Sequence, residues 1–218
     1  MNFQIELSQE EIETIDPLTN GELEQLCDQA PESWSGERNK LIMKHMLYTG
    51  SRVGEVVDLE WKEIDFEAGT IDISPAKWFG ERRLRISPDL LENLSAWRTR
   101  CLENGVESKW VFPNARGNKL STRYIREFHN RYALWAGLSD GRIHPHLFRH
   151  TFASRLLAQT GNLRTVQRAL GHASLDTTMI YLHSIPEKEL KNLRADEIDL
   201  AEFEKKLPNM TVKWKNTD

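Results

Sequence analysis

The 218-residue sequence lacks the long apolar stretch that a membrane-spanning helix requires. Its N-terminus also lacks the basic, apolar and small-residue pattern of a secretory signal. Cysteine is scarce, because only Cys27 and Cys101 occur, far apart and outside any metal-binding or redox spacing. We therefore expect a soluble, cytoplasmic protein without membrane association, whose two thiols are reduced, partly buried and structural.

Basic residues are missing from positions 1–37, which hold ten acidic side chains. The whole chain has 29 Lys and Arg against 33 Asp and Glu, a net charge of −4. Removing the ten acids leaves 29 basic against 23 acidic residues, so residues 38–218 carry a net charge of +6. A basic body behind an acidic leader fits a phosphate-binding surface, and ordinary solvated charge fits the same count equally well.

Helix-capping signals and hydrophobic spacing predict that most of the chain is helical. Thr19 and Glu22 form a capping box before the first helix, and Gly50 ends the second. Ser87 followed by Pro88 opens a later helix. After the first helix, the predicted helices span approximately residues 36–48, 53–59, 88–101, 121–136, 145–159, 163–170 and 175–183.

The middle of the chain changes from helical to alternating periodicity. Residues 64–66 and 70–73 flank a turn signal, which predicts a hairpin. A third strand is predicted over residues 83–86, after a short loop that contains Lys77. The predicted fold class is therefore α+β, mainly helical, with a small three-stranded antiparallel sheet.

A histidine and an arginine near the start of one predicted helix suit phosphate chemistry. His146 and Arg149 are spaced i, i+3 and should project from the same side, exposed, while Phe148 and Phe152 pack on another face. A guanidinium can donate two N–H groups to phosphate oxygens, and an imidazole can transfer a proton near neutral pH. The alternative is an ordinary surface pair at a helix start.

Tyr181 lies off the apolar stripe of the last predicted helix. That stripe consists of Leu175, Met179 and Leu182. A core tyrosine would sit within the stripe, so the Tyr181 phenol is predicted to face a partner. Once deprotonated by a neighbouring base, a tyrosine hydroxyl can attack phosphorus and stay covalently attached.

Three histidines in an H-x-H-x3-H string raise the alternative of a zinc site. They are His144, His146 and His150. No Asp or Cys ligand accompanies them, and Pro145 interrupts the local geometry, so no metal is expected. His144 is predicted to be structural, and His150 to form hydrogen bonds in or near the core.

Five short motifs of chemically suitable residues follow one another along the chain. They are Thr49-Gly-Ser-Arg52-Val-Gly-Glu55, Lys77 beside the hairpin, His146-Leu-Phe-Arg149-His-Thr151, Leu170-Gly-His172, and Tyr181. Each is weak alone, but their order and predicted secondary structure are specific together. In both respects the chain resembles the tyrosine recombinases of the phage integrase family, over residues 17–186.

The resemblance implies a site-specific DNA recombinase that cuts and rejoins duplex DNA through a 3′-phosphotyrosyl intermediate. Because bond energy is kept in that intermediate, no metal, ATP or other cofactor is expected. The resemblance also implies a tetramer on DNA, with a monomer expected in isolation. A type IB topoisomerase-like enzyme and a non-catalytic DNA-binding regulator stay open as alternatives, as does the choice between phage, mobile element and chromosome-maintenance system.

The resemblance assigns the phosphate and the leaving group to basic side chains. Arg52 and Arg149 would clamp the scissile phosphate, and Lys77 would protonate the departing 5′-hydroxyl. After Lys77 the sequence continues Trp-Phe-Gly, where the family more often has small, turn-forming and basic residues. Arg82 is therefore an alternative donor, and Lys77 is favoured because lysine gives up a proton more readily.

The resemblance assigns the remaining roles to Tyr181 and the two imidazoles. Tyr181 would be the nucleophile, with His146 assisting its proton transfer. His172 would donate a hydrogen bond to a phosphate oxygen. Glu55, one helical turn after Arg52, would support a nearby polar group rather than take part in the reaction.

The resemblance also divides the chain into three segments. Residues 1–16 form an acidic arm, residues 17–186 the tyrosine recombinase catalytic domain, and residues 187–218 a tail that docks on its own domain or on a neighbouring protomer. The family closes its clamp around DNA with a separate N-terminal helical domain, for which we find no counterpart in residues 1–16, so we expect either a catalytic-domain fragment or a small single-domain member. Weak and strongly salt-dependent DNA binding is therefore expected.

Overall fold

In the computed structural model of the protein, the structure describes residues 16–73, 82–138, 141–172 and Thr178. The helices of these parts are α1 (Asn20–Asp28), α2 (Trp34–Thr49), α3 (Val53–Asp58), α4 (Pro88–Glu103), α5 (Thr122–Trp135), α6 (Pro145–Thr160) and α7 (Leu163–Leu170). A single 3-10 turn at Trp61–Glu63 leads into the strands β1 (Ile64–Asp65), β2 (Thr70–Ile73) and β3 (Arg82–Arg85). The predicted α+β class is confirmed. The helix predicted over residues 175–183 and the tail lie outside the described residues, apart from Thr178.

The three strands form one antiparallel sheet, as predicted, and their order in it is β1-β2-β3. Ile71 at its centre pairs with Ile64 on one side and Leu84 on the other, and all three side chains are buried. Side chains of a strand alternate between its two faces, so Arg82 shares the inward face of β3 with Leu84. A charged side chain therefore enters the core at the first position of β3.

The three predicted helix caps, at the start of α1, the start of α4 and the end of α2, are confirmed. Thr19 and Glu22 form both bonds of a capping box at the start of α1. Ser87 accepts a hydrogen bond from the backbone N–H of Leu90 at the start of α4. Gly50 ends α2 in the left-handed conformation, with φ of 61°.

Helix α2 is the centre of the core and is buried on all its faces from Gly36 to Thr49, except at Lys40. It packs against α3, α4 and α6, while α7 packs against α6 and β3. Consequently the C-terminal ends of α2 and α7 and the start of β3 lie close together. This meeting point positions the candidate site.

The described helices are all too short or too polar to span a bilayer. Cys27 and Cys101 are free thiols, the first partly buried and the second buried, as expected from their spacing. Burial raises the pKa of each to about 12. Both cysteines are therefore protonated at neutral pH and act as packing residues.

Candidate active site

Arg149 joins the ends of two helices from a buried position on α6. Its Nη1 donates to the carbonyl oxygen of Gly50 over 2.5 Å, and its Nη2 donates to that of Leu170 over 2.7 Å. These carbonyls end α2 and α7, where the helix dipoles place partial negative charge. The prediction that Arg149 would be exposed is wrong, since only 4% of it reaches solvent. The carbonyls that hold it come from distant segments of the chain.

Glu55 on α3 is the second junction of the site, and it binds two arginines at once. Its Oε1 accepts from Nη1 of Arg52 at 3.1 Å and from Nη1 of Arg82 at 3.0 Å. Its Oε2 accepts from the backbone N–H of Arg52 and from Nη2 of Arg82, both at 2.7 Å. Each carboxylate oxygen thus has one bond from each arginine. The expectation that Glu55 supports a polar neighbour agrees with this geometry.

The ionised form of Glu55 is favoured although its side chain is 4% exposed. Burial opposes ionisation most strongly, but hydrogen bonds and charge attraction from Arg82 outweigh it, helped by the Arg52 backbone N–H and the charge of Arg149. The pKa of Glu55 therefore lies below its ordinary value of 4.5. A carboxylate with four donors and a low pKa is a poor general base, so Glu55 is structural within the site.

His146 lies at the second position of α6, where its side chain reaches solvent. Partial burial, then the nearby groups of His144, Arg149, Arg126 and Arg52, lower its pKa below the ordinary 6.5. The imidazole is therefore neutral at neutral pH and able to accept a proton. Because the charges of Arg149 and Arg52 contribute to this shift, His146 lies within electrostatic reach of both arginines.

His172 follows Gly171, the residue at which α7 ends in the left-handed conformation. Burial, followed by the charges of Arg149, Arg52 and Arg82, lowers the pKa of His172 to about 4. Its Nδ1 lies 2.9 Å from the hydroxyl of Thr178. If that hydroxyl donates, the proton of the neutral ring is on Nε2, which then serves as a donor.

The structure thus brings four of the six predicted site residues together: Arg52, His146, Arg149 and His172. Three guanidinium groups, counting Arg82, and one carboxylate leave two positive charges, while both imidazoles are neutral. This excess of donors and positive charge suits a phosphodiester anion. The other two predicted site residues, Lys77 and Tyr181, lie outside the described residues.

Two participants were not assigned by the sequence. Thr178, which contacts His172, had no recognisable motif. Arg82 was considered only as a proton donor, whereas the structure places it in a buried ion pair with Glu55. The inward parity that it shares with Leu84 on β3 was the signal that could have predicted its burial.

The histidine string does not converge on a common point. The rings of His144 and His146 are 6.3 Å apart, and His150 interacts with the hydroxyl of Ser154 at 3.3 Å. His150 is therefore a hydrogen-bonding residue near the core, as predicted. Within the part of the chain that the structure describes, no three His, Cys, Asp or Glu side chains are arranged to hold a metal ion.

Comparison with known proteins identifies relatives of the whole site region. The sequence pattern described as the phage integrase family matches residues 17–188. Tyrosine recombinase XerC of Oceanobacillus iheyensis is 38% identical over 153 residues, which are 68% of this chain and 50% of the relative. Tyrosine recombinase XerC of Escherichia coli O157:H7 is 36% identical over 149 residues, covering 67% of this chain and 48% of the relative.

A solved structure gives the same result. The XerH site-specific recombinase bound to palindromic difH substrate, in a post-cleavage complex, is similar with a TM-score of 0.67 and 31% identity, covering 77% of this chain and 49% of that one. The chain spans about half the length of the curated relatives it matches.

Proposed function

Because the chain belongs to the phage integrase family, we propose that it is a site-specific recombinase that cuts and rejoins duplex DNA. The observation that carries this proposal is the pair of hydrogen bonds from Arg149 to the carbonyl oxygens of Gly50 and Leu170, which hold the ends of α2 and α7 together. It draws Arg52 and His172, from distant parts of the chain, into electrostatic reach of one another. We place the catalytic domain at residues 17–186, with residues 1–16 as an arm and 187–218 as a tail.

Arg52 and Arg149 stabilise the scissile phosphate. Negative charge builds on the phosphate oxygens as a fifth bond forms at phosphorus, and fixed guanidinium groups stabilise that charge without reorganising. The Arg52 side chain is 30% exposed and can reach a substrate. Arg149 contributes its positive charge from a buried position, in an orientation that the carbonyl oxygens of Gly50 and Leu170 determine. His172 donates to a phosphate oxygen through Nε2, with Thr178 satisfying its other nitrogen.

Tyr181 is the nucleophile, and His146 takes up its proton. The phenolate oxygen forms a bond to phosphorus, the bond from phosphorus to the 5′-oxygen breaks, and Lys77 supplies the proton that the leaving oxygen requires. Attack by a new 5′-hydroxyl reverses these steps and restores the free phenol. Tyr181, His146 and Lys77 are assigned from their motifs. The lowered pKa of His146 leaves its imidazole neutral at neutral pH, which supports its role as proton acceptor.

Duplex DNA is the proposed partner, and the chain is proposed to form a tetramer on DNA and a monomer without it. Recombination joins four DNA ends, so two cut duplexes require four active sites held together. A DNA-acting enzyme of this type would work in the cytoplasm, at the nucleoid.

The test is covalent capture on a nicked duplex, in which the released fragment diffuses away and religation stops. A randomised pool of such duplexes at low salt identifies the cleaved sequence. We expect the wild type to form a covalent adduct, Tyr181→Phe to form none, and Tyr124→Phe, which changes a tyrosine outside the site, to match the wild type. An equal adduct in Tyr181→Phe contradicts the proposal. Relaxation of supercoiled plasmid without joined products would instead indicate a topoisomerase.

A further inference from the structure

We propose that Arg82 is a positioning residue, which holds Glu55 so that Arg52 keeps its positive charge for the scissile phosphate. This inference rests on the proposed function and adds a component to its site. Arg82 is proposed to touch neither DNA nor the reacting atoms. Its effect passes through Glu55, to which both of its Nη atoms are bonded.

The cluster of Arg52, Glu55 and Arg82 carries a net positive charge. Arg52 paired with Glu55 alone would form a neutral ion pair, and such a pair attracts a phosphate weakly. Arg82 adds a second positive charge to the same carboxylate, so the three groups together keep one positive charge. Each oxygen of Glu55 is shared between the two arginines, and its hold on Arg52 is correspondingly reduced.

The three side chains of this cluster lie at different depths. The side chains of Arg82 and Glu55 are 5% and 4% exposed, whereas that of Arg52 is 30% exposed. Only Arg52 can therefore present its guanidinium to a phosphate from outside. The alternative role of Arg82, protonation of the leaving oxygen, also requires an accessible donor that releases a proton, and a buried guanidinium bonded to a carboxylate is neither.

Within the described part of the chain, the burial of Arg82 leaves one of its donor groups without a hydrogen bond. The Nε of Arg82 is buried and has no hydrogen-bond partner among the residues that the structure describes. An unpaired buried donor is unfavourable, so the bidentate contact with Glu55 determines where the guanidinium lies. Arg82 also lies against the turn that carries His172, because a Cβ added to Gly171 would be 3.2 Å from its Nη1. Arg82 is thus bonded to Glu55 and lies close to that turn.

The variants follow from this geometry. Arg82→Gln leaves Glu55 free to neutralise Arg52, Arg82→Lys keeps the charge but not the two-pronged contact, and Glu55→Gln with Arg82→Gln removes both charges of the pair. Arg83→Gln is the matched control, since Arg83 is the next residue of β3 and also binds a carboxylate, Asp72, with two hydrogen bonds, but at the surface.

Adduct formation is measured on three forms of the nicked duplex recovered from the randomised pool: a normal phosphodiester, a neutral methylphosphonate at the scissile position, and a 5′-bridging sulfur that leaves without a proton. On the phosphodiester, Arg82→Gln should lose about 10²-fold in rate, Arg82→Lys less, and Arg83→Gln nothing. The double variant should be faster than Arg82→Gln alone. The methylphosphonate should reduce the defect of Arg82→Gln, because a neutral phosphorus needs less positive charge.

The bridging sulfur should rescue Lys77→Ala but not Arg82→Gln. Rescue of Arg82→Gln by sulfur would make Arg82 the proton donor and overturn the inference, as would a wild-type rate in Arg82→Gln. If Arg82→Gln does not fold, Arg82→Lys and the double variant test the inference through the same adduct rates on the three forms of the duplex. If the wild type forms no adduct, the proposed function fails, and the role of Arg82 is then tested by the binding of inorganic phosphate, measured by NMR. Weaker phosphate binding in Arg82→Gln than in the wild type supports the inference, and equal binding overturns it.

Discussion

The guanidinium of Arg149 donates a 2.5 Å hydrogen bond to the carbonyl oxygen of Gly50, the residue at which α2 ends in the left-handed conformation. The two residues are 99 positions apart in the sequence. The same guanidinium holds the end of α7, so a single side chain fixes the ends of two helices and thereby the positions of Arg52 and His172. We therefore expect both the stability of the fold and the proposed catalysis to depend on this one residue.

Replacing Arg149 with lysine should lower both the stability of the protein and its rate of adduct formation. A lysine ammonium is a point charge and cannot donate to both carbonyls in the present geometry, so one buried acceptor is left without its bond. We expect a loss of about 2 kcal/mol in unfolding free energy and of about 10²-fold or more in adduct rate, measured by urea denaturation and covalent capture.

The matched control is Arg155→Lys on the same helix. Arg155 also donates hydrogen bonds to distant groups, the carbonyl oxygen of Leu18 and the side chain of Asn20, but these partners lie at the start of α1, away from the site. It should lose stability while keeping its adduct rate, provided that both are measured where the protein is folded. A normal adduct rate in Arg149→Lys would contradict the proposal that Arg149 holds the ends of α2 and α7 in the position that the reaction requires.

Gly50→Ala should be strongly destabilising. The φ of 61° disfavours any side chain, and a Cβ would lie 2.4 Å from Cδ1 of Phe152 and 2.9 Å from Cδ2 of Leu170. We expect a loss of about 2–5 kcal/mol in unfolding free energy. Gly54→Ala is the control: it lies within α3, has no atom within 4 Å of its added Cβ, and should gain up to about 1 kcal/mol. Equal stability of the two variants would count against the packing described for Gly50.

Arg126 on α5 should contribute to DNA binding outside the reacting centre. It is exposed, its charge reaches His146, and no ion pair joins it to a carboxylate of the described residues. Arg126→Gln should weaken binding to any duplex and lower the slope of log affinity against log salt by about 1. Arg123→Gln, one turn earlier and already paired with Glu127, should change that slope less. A fluorescence titration over several salt concentrations distinguishes the two, and identical slopes would exclude this contact.

The protein should lose stability in mild acid. Burial lowers the pKa of His45, His129 and His172 to about 4, against 6.5 in an unfolded chain. Between these values the unfolded state binds more protons, so the unfolding free energy falls as the pH decreases from 6.5 toward 4. Each histidine contributes up to about 1.4 kcal/mol per pH unit.

Urea denaturation at pH 7.5, 6 and 5 measures this dependence. His129→Leu should flatten it by the share of one histidine, since this ring is fully buried against Phe128 and Phe148. A stability that does not change between pH 6.5 and 5, or an unchanged slope in His129→Leu, would show that these rings are not held neutral in the native state.

Local features of the fold were predictable because their causes are local. The capping box of Thr19 and Glu22, the glycine end of α2 at Gly50 and the proline start of α4 after Ser87 each depend on residues within one helical turn. The sheet followed from alternation on either side of one turn. Helix bounds were correct within a few residues, and those of α7 coincided with the prediction.

The depth of the site residues was not predictable in the same way. Helical spacing puts His146 and Arg149 on one side of α6 but does not determine that one is exposed and the other buried. That difference depends on carbonyls contributed by α2 and α7. The pairing of Arg82 with Glu55 likewise joins β3 to α3 across 27 positions. Such contacts follow from the packing of elements, which spacing along one element does not contain.

The identity of the residue that becomes attached to DNA tests the central claim most directly. The adduct of the wild-type chain with the nicked duplex is digested with a protease and a nuclease, and the modified peptide is sequenced by mass spectrometry. We predict a nucleotide joined through its 3′-phosphate to the hydroxyl of Tyr181. Attachment to any other side chain, attachment through a 5′-phosphate, or the absence of a covalent bond would contradict the account.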